Sequence, residues 1–128
     1  MDWATLLNEF KSDYKLYVDN LTGSTFGSYP LYTAIEVDNL ITDKLKEAYG
    51  FLKQVLRDNL NLLLMNPETK EFIEDQIKQY TLGSILIITG KTEAGVKLQS
   101  SVKSNIFDLI QNTTSLDNYI FDIDELIN

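Results

Sequence analysis

The stretch of this sequence closest to a chemical motif runs from Gly83 to Thr92, because it ends in glycine, Lys91 and a threonine, the order found in a phosphate-binding loop. That loop needs roughly four residues between its glycines, so that backbone amides can curl around a phosphate. Here six mostly apolar residues separate Gly83 from Gly90. A helix that ends at Gly90, followed by a helix capped by Thr92, accounts for the same residues, and we expect no nucleotide binding.

Acidic side chains near the C-terminus raise a second possibility, a site for a hard metal ion such as Mg²⁺ or Ca²⁺. Asp122, Asp124 and Glu125 are the candidates, but residues two apart on a helix face different ways, and the calcium-loop pattern with its central glycine is absent. Glu71 and Lys78 belong to a charged stretch typical of a solvated helix face. We therefore expect no metal site. A pair of carboxylates needs only to meet in space, but nothing here favours a hydrolase.

The composition argues against several classes of enzyme. The sequence contains no cysteine and no histidine. It therefore lacks thiolate nucleophiles, disulfides, the usual general base at neutral pH and the commonest transition-metal ligand. We predict that the protein is not an enzyme and that it uses no cofactor. A small enzyme that relies on carboxylates and lysine would instead require a concave pocket with convergent polar groups.

The formal net charge of −8 argues against a nucleic-acid partner held by phosphate contacts. Its simplest interpretation is a solvated, soluble surface. The alternative functional hypothesis is an acidic inhibitor or decoy that binds a basic groove on a partner. It is motivated by the residues after Lys103, where no basic residue follows and the acids are Asp108, Asp117, Asp122, Asp124 and Glu125.

The sequence indicates neither secretion nor a membrane span. Met1, Asp2 and Trp3 do not begin a secretory signal, and the longest apolar candidate, Leu82 to Ile88, is far shorter than the ~20 residues that cross a bilayer. The expected location is cytoplasmic, or in a soluble component of an assembly such as a virion.

The elements that would position any site are helices. Between Ala34 and Met65, apolar residues recur at steps of four and three, which places them on one helix face; they are Val37, Ile41, Leu45, Ala48, Leu52 and Val55. Gly50 is the weak point of this helix and suggests a close crossing or a bend. Asn66 and Pro67 then restart the chain as a capped helix.

The predicted fold is a single all-α domain over residues 1–128, a bundle of four to five helices with one long loop after the first. The expected helices are 2–22, 34–65, 67–89, 93–112 and 115–127. Two segments also suit a strand: 82–89, which is β-branched and bounded by glycines, and 119–123, where aromatic and apolar residues alternate. We favour helix in both, because a single strand without a pairing mate is a poor structure.

Two features suggest a surface that binds proteins. The loop between the first two helices carries Phe26, Tyr29 and Tyr32, rings that either cover the core or contact a partner. The end of the second helix is apolar on nearly every side, and Leu62, Leu64 and Met65 are the candidates there. The expected partners are other proteins or copies of this chain, with no nucleic acid and no membrane.

We accordingly predict a non-enzymatic interaction or assembly protein, a structural adaptor. Small, cysteine-free helical chains rich in Asn, Ile and Leu are common among phage and mobile-element products, where many are structural. That compositional analogy makes a phage or mobile-element structural component one form of this hypothesis.

Overall fold

The computed structural model describes residues 1–22, 25–26, 29–30, 32–113 and 119–127, and for 25–26 and 29–30 it describes the backbone alone. Over these ranges the fold is all-α, as predicted, with seven helices in place of four or five. They are α1 (Trp3–Asp13), α2 (Lys15–Thr22), α3 (Ala34–Leu56), α4 (Asn59–Met65), α5 (Pro67–Ile88), α6 (Thr92–Thr113) and α7 (Asp124–Ile127). Within the predicted long loop, β1 (Thr25–Phe26) pairs antiparallel with β2 (Tyr29–Pro30).

The chain divides into two compact units, Met1–Lys46 and Glu47–Asn128, with the boundary inside α3. The expectation of one domain over the whole chain stays a prediction. The stripe predicted for α3 is confirmed, because all six of its residues are buried. Other buried apolar residues are Leu6, Phe10, Val18 and Leu21 in the first unit and Leu56, Leu60, Leu63, Ile73, Ile77, Ile85, Val102, Ile106, Ile110 and Leu126 in the second.

The predicted helix 2–22 is divided at Tyr14. The Tyr14 backbone leaves the helical region (φ −119°, ψ 37°), while its N–H still donates to the Phe10 carbonyl at 3.0 Å. Its ring packs edge-on against Phe10, with 4.9 Å between the ring centroids. Because tyrosine is compatible with a continuous helix, the apolar spacing gave no sign of this kink.

The predicted helix 34–65 is divided at Arg57 and Asp58. Arg57 has a positive φ of 53°, and its N–H donates to the Lys53 carbonyl at 2.8 Å, which ends α3 with a left-handed residue. A non-glycine residue in this region costs about 1–2 kcal/mol. The Arg57 side chain also pairs with Asp122, at 3.3 Å from guanidinium nitrogen to carboxylate oxygen. This distant contact was invisible in the local pattern.

Helices α5 and α6 form an antiparallel hairpin with a short turn. Asn66 accepts from the Glu68 N–H at 2.9 Å and Pro67 is the first helical residue, so the predicted restart is confirmed. Residues 82–88 belong to α5, which confirms helix over strand there, and Gly90 turns the chain at φ +94°. Hydrogen bonds join the two helices at Asn105 to Gln76 (3.0 Å) and at Gln99 to Ser84 (2.8 Å).

The closest approach of the hairpin is at Gly83 and Gly95. A Cβ on Gly95 would lie 2.5 Å from the Gly83 carbonyl oxygen and 2.6 Å from Ile87 Cγ1. The sequence predicted a close crossing or a bend at Gly50 instead. A Cβ on Gly50 would meet nothing within 4 Å.

The predicted helix 115–127 is wrong over 119–123; only Asp124–Ile127 is helical, and 114–118 lie outside the described residues. Residues 119–122, here the C-terminal strap, do not belong to a helix and lie against the α3–α4 junction. The Asp122 N–H donates to the Val55 carbonyl at 2.8 Å, and the Asn59 side-chain amide donates to the Ile120 carbonyl at 2.7 Å. The alternating rings of Tyr119 and Phe121 stack on each other, with 5.5 Å between their centroids. Contacts with the distant junction prevail over the helical spacing of this segment.

The start of α1 gives a pH-dependent prediction. The Asp2 carboxylate accepts from the Thr5 hydroxyl (2.8 Å) and the Thr5 N–H (3.1 Å), and these bonds hold the pKa of Asp2 below its ordinary value of 3.8. A depressed folded-state pKa gives stability that is complete above the unfolded pKa and is lost as the pH falls through the folded pKa. We expect the wild type to be more stable than an Asp2→Ala variant at neutral pH. Urea denaturation across the acid range should show this difference shrinking below pH 3.8; a difference that stays constant would contradict the prediction.

Candidate interaction surface

Helix α4 carries three of the predicted partner-binding residues. It begins at Asn59, after the left-handed Arg57, and ends at Met65, before the Asn66 cap of α5. Because a helix turns about 100° per residue, its seven residues cover the whole circumference. The buried side is formed by Leu60 and Leu63.

The opposite side of α4 is an exposed apolar pair. Leu62 is 56% exposed and Met65 is 78% exposed. They lie three residues apart and therefore on one face. Leu64 is half-buried at the edge between the two sides. The sequence indicated a helix end that is apolar all round; the structure separates a core side from this α4 patch, defined as Leu62 and Met65.

Two of the three predicted aromatic residues of the loop, Phe26 and Tyr29, lie in the paired strands β1 and β2. The backbone of Phe26 pairs opposite that of Tyr29, across β1 and β2, and the side chains of both lie outside the described residues. Tyr32 is half-buried. The role of these three rings in binding a partner stays a prediction.

Sequence reasoning missed the C-terminal strap, which borders α4. Ile120 is held through its carbonyl by Asn59 and is itself exposed. Between them lies a small cavity of about 160 Å³, lined by Arg57, Asp58, Asn59 and Ile120. The available signal was the alternation of Tyr119, Phe121 and Ile123, which suits an extended chain.

The acids behind the inhibitor hypothesis occupy different environments. Asp122 is half-buried and paired with Arg57, so its charge is used within the chain. Asp108, Asp124 and Glu125 are exposed, and Asp117 lies outside the described residues. Across the described part of the chain, no three acidic side chains come together as a metal site would require.

The residues that resembled a phosphate loop are used for helix structure. Gly83 lies inside α5, Gly90 forms the turn and Thr92 is the first residue of α6. The Lys91 N–H donates to the Leu86 carbonyl at 2.8 Å. Six of these ten residues therefore belong to the end of α5, as the core interpretation of this stretch predicted.

One aromatic stack in the second unit has unusual electrostatics. Phe51 and Tyr80 stack with centroids 4.9 Å apart, and Lys103 Nζ lies 5.8 Å from the Phe51 centroid. Burial, and then the negative charge of Glu47, raise the pKa of Tyr80 above 10.0. The Tyr80 hydroxyl is protonated at neutral pH, and its ring packs against Phe51.

Comparison of this chain with protein-family models, with curated proteins and with solved structures finds no match. Among the helices in the described ranges, none has the length and apolar character to cross a membrane.

Proposed function

We propose that this protein is a non-enzymatic assembly protein that binds copies of itself or other proteins through the α4 patch. The observation that supports this most is the exposure of Leu62 and Met65 on one face of a helix whose other face is core. Burying a leucine or methionine side chain fully contributes about 1.5–3 kcal/mol. Methionine is among the residue types enriched in protein interfaces.

An interface needs more area than this pair provides. Stable complexes bury about 1,200–2,000 Å² in total, so neighbouring surface must take part. The strap residue Ile120 is exposed, and its carbonyl accepts from Asn59 at the start of α4, so we include it among the neighbouring residues that could take part. Two more specific statements belong to this proposal. The first is that Phe26, Tyr29 and Tyr32 contribute to the interface, and the second is that the protein is part of a phage or mobile-element particle.

The test substitutes the two patch residues and leaves the buried residues of α4 unchanged. We expect a double variant, Leu62→Gln with Met65→Gln, to weaken self-association or partner binding by about tenfold or more, because each lost burial is worth at least the 1.4 kcal/mol of a tenfold change. Sedimentation velocity over a wide concentration range measures self-association. Retention of protein partners on the immobilised chain measures binding to other proteins.

A matched control uses two other exposed apolar residues, Leu16 and Ile35. The variant Leu16→Gln with Ile35→Gln removes the same kind of side chain elsewhere, and we expect it to assemble like the wild type. Equal losses in the two variants would mean that general hydrophobicity drives association. A wild-type chain that stays monomeric and retains no partner would contradict the proposal itself.

A further inference from the structure

A cleft of about 320 Å³ lies between the first turns of α5 and the last turns of α6, and neither residue of the α4 patch lines it. Glu68, Thr69 and Phe72 line it from α5, and Asn105, Asp108, Leu109 and Asn112 from α6. Its size suits a single large side chain or a small molecule rather than a folded element.

The polar groups of this cleft are mainly acceptors. Asn105 donates one side-chain N–H to the Oε1 of the buried Gln76, so its amide oxygen remains to accept and its second N–H remains to donate. The Thr69 hydroxyl donates to the Leu63 carbonyl. Its proton is therefore used within the chain, and the Thr69 hydroxyl can only accept a hydrogen bond from a ligand. Asn112 and the second N–H of Asn105 also offer donors, but with the carboxylates of Glu68 and Asp108 the acceptors outnumber them, so a ligand that brings hydrogen-bond donors matches the cleft better.

The charges of the cleft are negative. Glu68 and Asp108 both line it, and across the described residues neither carboxylate has an ion-pair partner. The N-terminus of α5 and the C-terminus of α6 lie side by side in this antiparallel pair, so their opposite dipole ends largely offset each other. The net field is set by the two carboxylates and favours a cation.

The walls of the cleft are apolar. Phe72 and Leu109 are half-buried and present hydrocarbon to any occupant. An aromatic ring also attracts a cation placed over its face. The acceptors and carboxylates match a positively charged head group with N–H donors, and the hydrocarbon walls match an alkyl stem.

We propose that this cleft binds the cationic side chain of an arginine or lysine carried by a partner protein. The alkyl stem lies along Phe72 and Leu109, and the charged head is shared by Glu68, Asp108 and the amide oxygen of Asn105. Its lining includes neither residue of the α4 patch, so different variants test this proposal and the proposed assembly function.

The test titrates the full-length protein with a terminally blocked Gly-Arg-Gly peptide and reads backbone amide chemical shifts. A single side chain should bind weakly, with a Kd of about 1 mM, and more weakly as salt rises. We expect the largest shifts at Phe72 and Leu109. The double variant Glu68→Gln with Asp108→Asn should weaken binding by about tenfold or more.

The control is the double variant Glu71→Gln with Glu93→Gln, which removes the same charge from exposed acids outside the cleft. It should change the Kd by less than about twofold. Equal weakening in the two variants would show that overall negative charge attracts the peptide and would overturn the proposal. Absence of shifts in the cleft would do the same. Spermidine, added separately, should bind no tighter than the peptide; tighter binding would assign the cleft to a free polyamine instead.

Discussion

Replacing Gly95 by alanine is expected to lower the free energy of unfolding by about 2–3 kcal/mol, because overpacking a tight contact costs this much. The added methyl carbon would lie 2.5 Å from the Gly83 carbonyl oxygen and 2.6 Å from Ile87 Cγ1. The first contact is with backbone, which cannot turn aside as a flexible side chain can. The two helices must therefore separate. Urea denaturation monitored by helical circular dichroism measures the change.

The matched control is Gly50→Ala, in the interior of α3. A Cβ there meets nothing within 4 Å, so only helix propensity and backbone entropy change. We expect this variant to gain about 0.5–1 kcal/mol. If alanine at Gly95 were as well tolerated as at Gly50, the close approach of α5 and α6 would not be a determinant of stability.

Replacing Asn59 by alanine is expected to cost about 2 kcal/mol and to free the C-terminal strap. The Asn59 side chain is 6% exposed, and its amide donates to the Ile120 carbonyl at 2.7 Å. Alanine leaves this carbonyl without its donor and removes the packing of the amide. Hydrogen exchange at the Asp122 amide, which donates to the Val55 carbonyl, should become faster.

Asn61, on the same helix, supplies the comparison because its side chain is exposed. Alanine at Asn61 should change stability by less than about 0.5 kcal/mol and leave exchange at Asp122 unaltered. The role assigned to Asn59 would be refuted if its variant kept the Asp122 amide as well protected as the wild type does.

Local signals were enough to predict most of the helices. Asn66 and Pro67 are capping and first-turn residues, and Gly90 is a residue suited to positive φ, so their effects depend on nearby atoms. The stripe from Val37 to Val55 has a period that only a helix can bury. Such features can be identified from a window of a few residues.

The features that were missed depend on distant partners. Arginine is not a residue type that usually ends a helix. The left-handed backbone of Arg57 occurs together with its side-chain contact to Asp122. The strap has helical spacing but takes its geometry from Val55 and Asn59. The close approach of Gly83 and Gly95 required knowing how two helices are aligned. No local pattern contains that information.

The candidate site could be predicted only in part, because its geometry also depends on contacts that are distant in the sequence. The apolar end of α4 marked the correct segment, but periodicity alone did not divide its residues between core and surface. Burial of Leu60 and Leu63 leaves Leu62 and Met65 on the outside and Leu64 at the edge. The cleft between α5 and α6 was not predicted at all, because Glu68 and Asp108 are far apart in the sequence.

The hairpin of α5 and α6 also has a kinetic consequence. Only residues 89–91 separate the two helices, so the chain loses little loop-closure entropy in bringing them together, and contacts of this kind form early in folding. The hydrogen bond that fixes the strap joins residues 61 positions apart. We expect a contact of this separation to form late, so its loss should act chiefly on the rate of unfolding, whereas disturbing the hairpin should slow refolding.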